Sequence, residues 1–109
     1  MVPTRGQQLV ASFDGPARAI RCATALAKAA ERFCVTVRAG LHTGECTVED
    51  EFVTGPPIEI AAAIARWATP GDVLVSRTVR DIVGDTGLPF EDRGVHRVGD
   101  TGEWRLFRV

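Results

Sequence analysis

The spacing of apolar and polar residues divides the first third of the chain into a strand, a helix and a second strand. Residues 8–13 form a short β-prone run. From residue 17 to about residue 32, apolar positions recur at helical spacing and basic residues occupy the opposite face, which predicts an amphipathic helix with a solvated basic surface. Residues 33–41 alternate between apolar and polar and therefore predict a strand, followed by a turn at His42.

The middle of the chain predicts a hairpin and a second helix. Residues 45–48 and 52–53 are β-prone and flank an acidic pair, as in a hairpin. The Ala-rich residues 58–68 are good helix formers, and the Pro-Gly that follows predicts the end of this helix. Residues 72–75, an aspartate followed by three apolar residues, then predict a short buried strand.

The last third of the chain predicts a short helix and a second hairpin. Ser76 or Thr78 is expected to cap a helix that runs to Val83. Residues 90–98 and 104–109 predict two strands joined by a Gly-rich turn. The order of these elements predicts one α+β domain over residues 1–109, with helices packed on a mostly antiparallel sheet.

Composition adds constraints on function rather than on fold. The 109 residues carry 13 basic and 14 acidic side chains, mixed along the chain, so nothing in the charge calls for nucleic acid or an anionic membrane. No apolar run approaches the roughly 20 residues that a membrane span needs, and a cytoplasmic location is expected. The three cysteines are odd in number and widely spaced, which makes a poor disulfide framework, and Cys22 and Cys34 are expected to be buried thiols.

Four blocks of sequence carry a family resemblance. Residues 37–45, VRAGLHTGE, resemble the V-R-x-G-(L/I)-H-x-G segment of bacterial class III adenylate/guanylate cyclases. Residues 9–19 (LVASFDGPARA), residues 70–76 (PGDVLVS) and the closing pair FEDRG and WRLF at 90–94 and 104–107 resemble further blocks of that family in the same order. The resemblance implies a ferredoxin-like nucleotide cyclase fold.

The resemblance also implies that part of this fold is missing. The family's first strand and the helices after it would precede Met1. In the family's sheet that strand lies between the strands that match residues 8–13 and residues 35–41. Its absence is therefore expected to expose two inner strand edges, and such edges invite pairing with another chain.

The metal site of the family is not expected to be present. Class III cyclases join the 3′-hydroxyl of ATP or GTP to the α-phosphate with two divalent ions, Mg²⁺ or Mn²⁺, that two Asp side chains hold. The first Asp would lie before Met1, and the second aligns with Gln7. Because an amide brings no negative charge, no metal cofactor is expected.

The other family positions are also altered. The transition-state pair, an Asn and an Arg four residues later, aligns with Glu59 and Ala63, which places a carboxylate where a polyphosphate would lie and removes the cation. Arg66 is displaced by nearly one helical turn and is not expected to replace the missing Arg. The two base-reading positions align with Pro3 and Phe52, and neither side chain can hydrogen-bond a purine edge.

The remaining candidates have structural interpretations. His42 and His96 have no Asp, Glu or Cys at metal-ligand spacing and are expected to be a turn residue and a solvent-facing strand residue. Trp67 and Trp104 either anchor a partner or pack a helix on the sheet.

Two functional hypotheses follow from these positions. The first is a catalytically inactive cyclase-like domain, a pseudoenzyme or remnant with a regulatory or interaction role. The second is a cyclase subunit that forms cyclic AMP or cyclic GMP only with a partner chain or with a missing N-terminal segment. Because the family's sites form between two domains, a homo- or hetero-oligomer is expected in either case.

Overall fold

The computed structural model describes residues 2–3, 9–11, 13–44, 47–49, 52–84 and 87–109. Within these ranges the chain forms eight strands and three helices. In chain order they are β1 Val2–Pro3, β2 Leu9–Val10, α1 Pro16–Glu31, β3 Ala39–Leu41, β4 Thr47–Glu49, β5 Phe52–Thr54, α2 Pro56–Ala65, β6 Val73–Ser76, α3 Arg77–Val83, β7 Glu91–Arg97 and β8 Glu103–Arg108.

A four-stranded sheet forms the centre of the molecule in the order β3-β6-β8-β7. Strand β3 runs parallel to β6, whereas the β6–β8 and β8–β7 pairs are antiparallel. Strands β4 and β5 form the expected hairpin, and β1 and β2 form another two-stranded unit. The predicted α+β class with a mostly antiparallel sheet is confirmed.

Both faces of the sheet are covered, which explains why β6 is buried at every position. On one face Leu74 and Leu106 pack with Ile64 of α2. On the other face Val75 and Phe107 pack with residues of α1 and α3. The alternation of neighbouring residues between the two clusters follows from the two-residue period of a strand.

Of the element boundaries that differ from the prediction, two have a local chemical explanation. Residues 33–38 precede β3 instead of belonging to it, because Cys34 adopts a positive φ of 56° and the amides of Phe33 and Val35 both bond the Ala30 carbonyl oxygen. Helix α2 starts at Pro56 rather than residue 58, since proline is well suited to the first helical turn, where no amide hydrogen bond is required.

Gly40 allows α2 to lie directly against β3. A Cβ atom at this position would overlap the backbone carbonyl oxygen of Ala61 and the backbone nitrogen of Ala65. Only glycine therefore permits this helix-to-strand distance. The first of the two glycines in the VRAGLHTGE block thus has a packing role.

The two strand edges that the resemblance predicted to be exposed do not close on each other. Among the described strands, β2 pairs only with β1, and β3 pairs only with β6. Strand β2 also covers just two residues of the predicted 8–13. Strand β3 is consequently an edge strand with one unpaired side in the described part of the chain.

The expectation of buried thiols was wrong for Cys34. Its side chain is exposed because it lies in the turn that ends α1, and Cys22 is only half-buried. Cys46 lies outside the described residues. No helix among the described residues combines the length and apolarity needed to cross a membrane.

Candidate functional site

Helix α2 places Glu59 and Ala63 on one side of the helix but in different environments. Gly55, with φ of 140°, precedes the helix, and Pro56 and Pro57 form its first turn. Glu59 is exposed in that turn, where a carboxylate suits the positive end of the helix dipole. Ala63 lies one turn further on, is only 6% exposed, and belongs to the apolar cluster against the sheet.

A cavity of about 270 Å³ opens beside Ala63. Its walls come from the end of α2 and from the turn between β7 and β8, and they consist of Ala63, Arg66, Trp67, Arg97 and Gly99. The structure therefore brings Arg66, three positions further along the chain, to the same cavity as Ala63. The guanidinium group of Arg66 thus lines this cavity, whereas the family resemblance indicated an arginine at position 63.

The two arginines of the cavity differ in their ion pairs from three other arginines of the β7–β8 hairpin. Arg93, Arg105 and Arg108 each form an ion pair with a carboxylate. Within the described residues, Arg66 and Arg97 form none. The two cavity arginines are consequently not paired with any carboxylate that the structure describes.

Trp67 forms the aromatic wall of the cavity and is held in place from two sides. Its indole Nε1–H donates a hydrogen bond of 2.7 Å to the Arg97 carbonyl oxygen. The His96 ring packs on it with centroids 4.6 Å apart. The side chain is still 47% exposed, so it is both fixed and accessible.

His96 is less open than the sequence indicated. It is half-buried in β7 because its ring packs on Trp67, and its Nε2 lies 2.7 Å from the Arg93 carbonyl oxygen. Trp104, by contrast, is half-buried against the apolar cluster below α2. Of the two tryptophans, Trp67 has the exposure that a partner or ligand would need.

Two of the remaining aligned positions are described only by their backbones. Pro3 pairs with Leu9 in the β1–β2 unit, and Phe52 pairs with Glu49 in the β4–β5 hairpin. Gln7 lies outside the described residues. The assignments of these three positions remain predictions.

Asp72 is the most enclosed charged group of the described chain and is 4% exposed. Its carboxylate accepts hydrogen bonds from the Thr69 hydroxyl and amide, from Arg93 Nη1 at 3.1 Å and from Arg108 Nε at 2.7 Å. Burial alone would raise the pKa of Asp72, but these hydrogen bonds and the Arg93 charge outweigh burial and hold the pKa below its ordinary value. This network joins the loop after α2 to both strands of the terminal hairpin.

His42 and Ser76 form a second internal polar contact, at the end of the parallel strand pair. The Ser76 hydroxyl accepts from the Val79 amide as the N-cap of α3, and it lies 2.8 Å from His42 Nδ1. Because Ser76 is fully buried, its O–H needs an acceptor, and neutral Nδ1 provides one. Burial lowers the pKa of His42, in agreement with a neutral ring that also packs edge-on against Trp104.

Within the described residues, no set of side chains fits a pair of divalent ions. Among the described residues no group of three or more His, Cys, Asp or Glu side chains is arranged to hold a metal ion. The Asp72 carboxylate is engaged by two arginines, and hard cations require carboxylate oxygens that are free to coordinate.

Sequence reasoning missed three features of this region. It assigned no role to Asp72, to the His42–Ser76 contact or to Arg97, because each depends on residues that lie 20 to 40 positions away in sequence. Adjacent Arg66 and Trp67 at the end of a predicted helix were the one local signal for a surface site. The PGDVLVS block was informative for the fold, but not for the partners of its aspartate.

Comparisons with known proteins place the chain among nucleotide cyclase sequences. No protein-family model matches it. The chain is 31% identical over 102 residues to a putative adenylate cyclase of Rhizobium meliloti, which covers 85% of this chain and 17% of that protein. It is 35% identical over 78 residues to a pH-sensitive adenylate cyclase of Mycobacterium tuberculosis, covering 67% of this chain and 20% of that protein.

A solved structure has the same fold. The adenylate/guanylate cyclase/hydrolase of Silicibacter pomeroyi superimposes with a TM-score of 0.72 at 27% identity, and the match covers 88% of this chain and 63% of that structure. The chain therefore spans less than a third of the two sequence relatives and under two thirds of this structural relative.

Proposed function

Because the chain belongs to the class III adenylate/guanylate cyclase homology domains, we propose that it is a non-catalytic member with a regulatory or interaction role. The observation that carries this proposal is Ala63. The position that aligns with the family's transition-state Arg holds a methyl group 6% exposed in the apolar cluster, beside an open cavity. A methyl group cannot stabilise the charge that develops on a phosphate.

The charge one turn earlier supports the same proposal. Glu59 is exposed in the first turn of α2 and forms no ion pair among the described residues. A free carboxylate near a polyphosphate is repulsive, whereas the Asn of active relatives is neutral. The aligned metal position, Gln7, adds a third change that disfavours the reaction.

The alternative is a subunit that completes a site with a partner chain, and one observation favours it. Arg66 lines the same cavity as Ala63, so a guanidinium group is available close to the missing one. In the family, however, the metal carboxylates come from one protomer and the Asn/Arg pair from the other. This chain is altered in both sets and would need a partner that tolerates Arg66 in place of Arg at position 63.

Complementation separates the two hypotheses. The chain is mixed with a competent cyclase domain whose Asn/Arg pair has been replaced, and separately with one whose metal aspartates have been replaced. The proposal predicts no cyclic nucleotide in either mixture, while an intact copy of the missing half restores turnover. Turnover that depends on this chain, and that Arg66→Gln abolishes, would establish the subunit hypothesis instead.

Nucleotide binding provides a second test. A site without metal carboxylates should gain no stability from Mg²⁺ and ATP together beyond what either gives alone, because only ligands that bind the folded state stabilise it. A melting temperature that rises with both together but with neither alone would contradict the proposal.

The proposed interaction role also concerns the open edge of the sheet. Strand β3 has one unpaired side in the described chain, whereas the other edge, β7, carries charged residues and a bulge at Gly94. Charges and bulges protect a strand edge from pairing. We expect association through the β3 side, either with a second copy or with another chain. Sedimentation should then show species larger than an 11.7 kDa monomer, and a monodisperse monomer would contradict this expectation.

A further inference from the structure

We propose that the cavity formed by Arg66, Trp67 and Arg97 binds a small oxyanion attached to a flat ring. Two exposed guanidinium groups and an exposed indole line one cavity of about 270 Å³. This inference rests on the proposed function, since it assigns binding without turnover to residues outside the family's catalytic set.

The charge of the two arginines favours an anionic ligand. Within the described residues neither Arg66 nor Arg97 has a carboxylate partner. Glu103 faces Arg97 in the strand register, yet no ion pair joins them. Guanidinium groups are planar, weakly hydrated donors that suit carboxylate and phosphate oxygens. An oxyanion in this cavity would therefore satisfy donors that form no ion pair with a described carboxylate.

The aromatic wall of the cavity favours a ligand with a flat ring. Trp67 is fixed by its hydrogen bond to the Arg97 carbonyl oxygen and by the His96 ring, so little side-chain entropy is lost when a ring packs on its exposed surface. The same hydrogen bond links the indole to the backbone of one of the two arginines. A ligand that contacts both the indole and the arginine side chains would combine stacking with charge recognition.

The volume of the cavity limits the size of the ligand. Small-molecule pockets generally enclose roughly 300–1,000 Å³, and this cavity lies just below that range. It has room for one ring and one oxyanion group, but it is too small to enclose a nucleoside triphosphate. Phenyl phosphate has this composition and is a suitable probe, with inorganic phosphate and phenol as its separate parts.

The indole N–H resonances provide the readout. The chain has two tryptophans, and Trp67→Phe identifies the resonance of Trp67. Phenyl phosphate at constant ionic strength should shift the Trp67 resonance and leave that of Trp104 in place. Phosphate should bind more weakly at the same arginines, and phenol should bind weakest. Equal binding of phenol and phenyl phosphate would overturn the proposal, because the oxyanion would then contribute nothing.

Matched variants test the arginines. Arg66→Gln and Arg97→Gln should each weaken phenyl phosphate binding by about tenfold, the effect of losing one charged hydrogen bond. Arg21→Gln, at an exposed arginine of α1, should leave the affinity unchanged. Glu103→Gln should tighten binding, since it removes the negative charge that faces Arg97 in the strand register. An equal loss of affinity in all three arginine variants would show that only net charge matters, and it would contradict the proposal.

A purely structural role for Arg66 gives a different result. As the C-cap of α2, Arg66 can offset the partial negative charge of the helix end. If this is its whole role, Arg66→Gln lowers the melting temperature and leaves phenyl phosphate affinity unchanged, which would overturn the proposal. Turnover of ATP or GTP would refute the proposed function without affecting these binding results, and an absence of binding would refute this inference while the domain remained inactive.

Discussion

Helix α2 meets the rest of the molecule tightly at one side and loosely at another. Against β3 it lies so close that Gly40 has no room for a Cβ atom. Beside Ala63 it leaves an open cavity with two arginines that lack carboxylate partners in the described chain. The blocks VRAGLHTGE and PGDVLVS, which resemble cyclases, thus contribute Gly40 and Asp72 to a tightly packed framework, whereas the cavity lies beside a position that the resemblance predicts to be altered.

Charge follows the same division. At Asp72, part of the framework, a buried carboxylate is bonded by Thr69, Arg93 and Arg108. In the cavity, neither Arg66 nor Arg97 forms an ion pair with a described carboxylate, although Glu103 faces Arg97 in the strand register. The Asp72 carboxylate is thus paired within the described chain, whereas the two cavity arginines are not.

The largest expected effect is at the tight contact. Gly40→Ala should destabilise the fold by about 3 kcal/mol, the upper part of the range for overpacking, because the added methyl overlaps backbone atoms that cannot rotate away. Urea unfolding measures this loss. Gly84→Ala is the matched control, since a Cβ there meets no atom within 4 Å and φ is helical, and it should change stability little. Equal effects of the two changes would contradict the close packing of α2 on β3.

A smaller loss is expected when the framework charge is removed. Asp72→Asn should cost about 2 kcal/mol, because charged hydrogen bonds from two partly exposed arginines are replaced by weaker ones. Asp81→Asn removes two exposed ion pairs, with Arg77 and Arg80, and should cost no more than about 1 kcal/mol. If both variants unfold at the same urea concentration, the Asp72 network does not contribute as described.

Much of the fold could be predicted from the sequence, because its signals are local. The apolar spacing of α1, the prolines at the start of α2 and the cap at Ser76 all act within one or two turns. The turn at Cys34 was missed because a positive φ in a non-glycine residue has no clear sequence signal. The cavity could not be foreseen, since Arg97 reaches Arg66 and Trp67 only through the folded hairpin.

The mildest expected effect is the dependence of stability on pH at His42. The pKa of His42 in the fold is lowered below its ordinary value of 6.5, so the unfolded chain binds the proton more readily. The contribution of the neutral ring is therefore fully present above about pH 6.5 and is lost as pH falls below it. Asp72, whose pKa is lowered from 3.8, loses its contribution only in more acidic solution.

Unfolding at pH 7.5 and pH 5.5 tests this assignment. The native chain should lose stability between the two, and His42→Asn should lose less over the same interval because it has no ring to protonate. His96→Asn is the matched control and should behave like the native chain. If the pH dependence stays intact in His42→Asn, the neutral His42–Ser76 contact is not its source.

The most direct test of the central claim is the formation of cyclic nucleotide. Purified chain is incubated with Mn²⁺ and either ATP or GTP, and cyclic AMP and cyclic GMP are quantified by mass spectrometry against a boiled control. The account predicts no product above that control for the native chain, and none for Ala63→Arg or Gln7→Asp alone, because catalytic groups that act as a unit fail together. Product that accumulates with time and with concentration of the native chain would contradict the account.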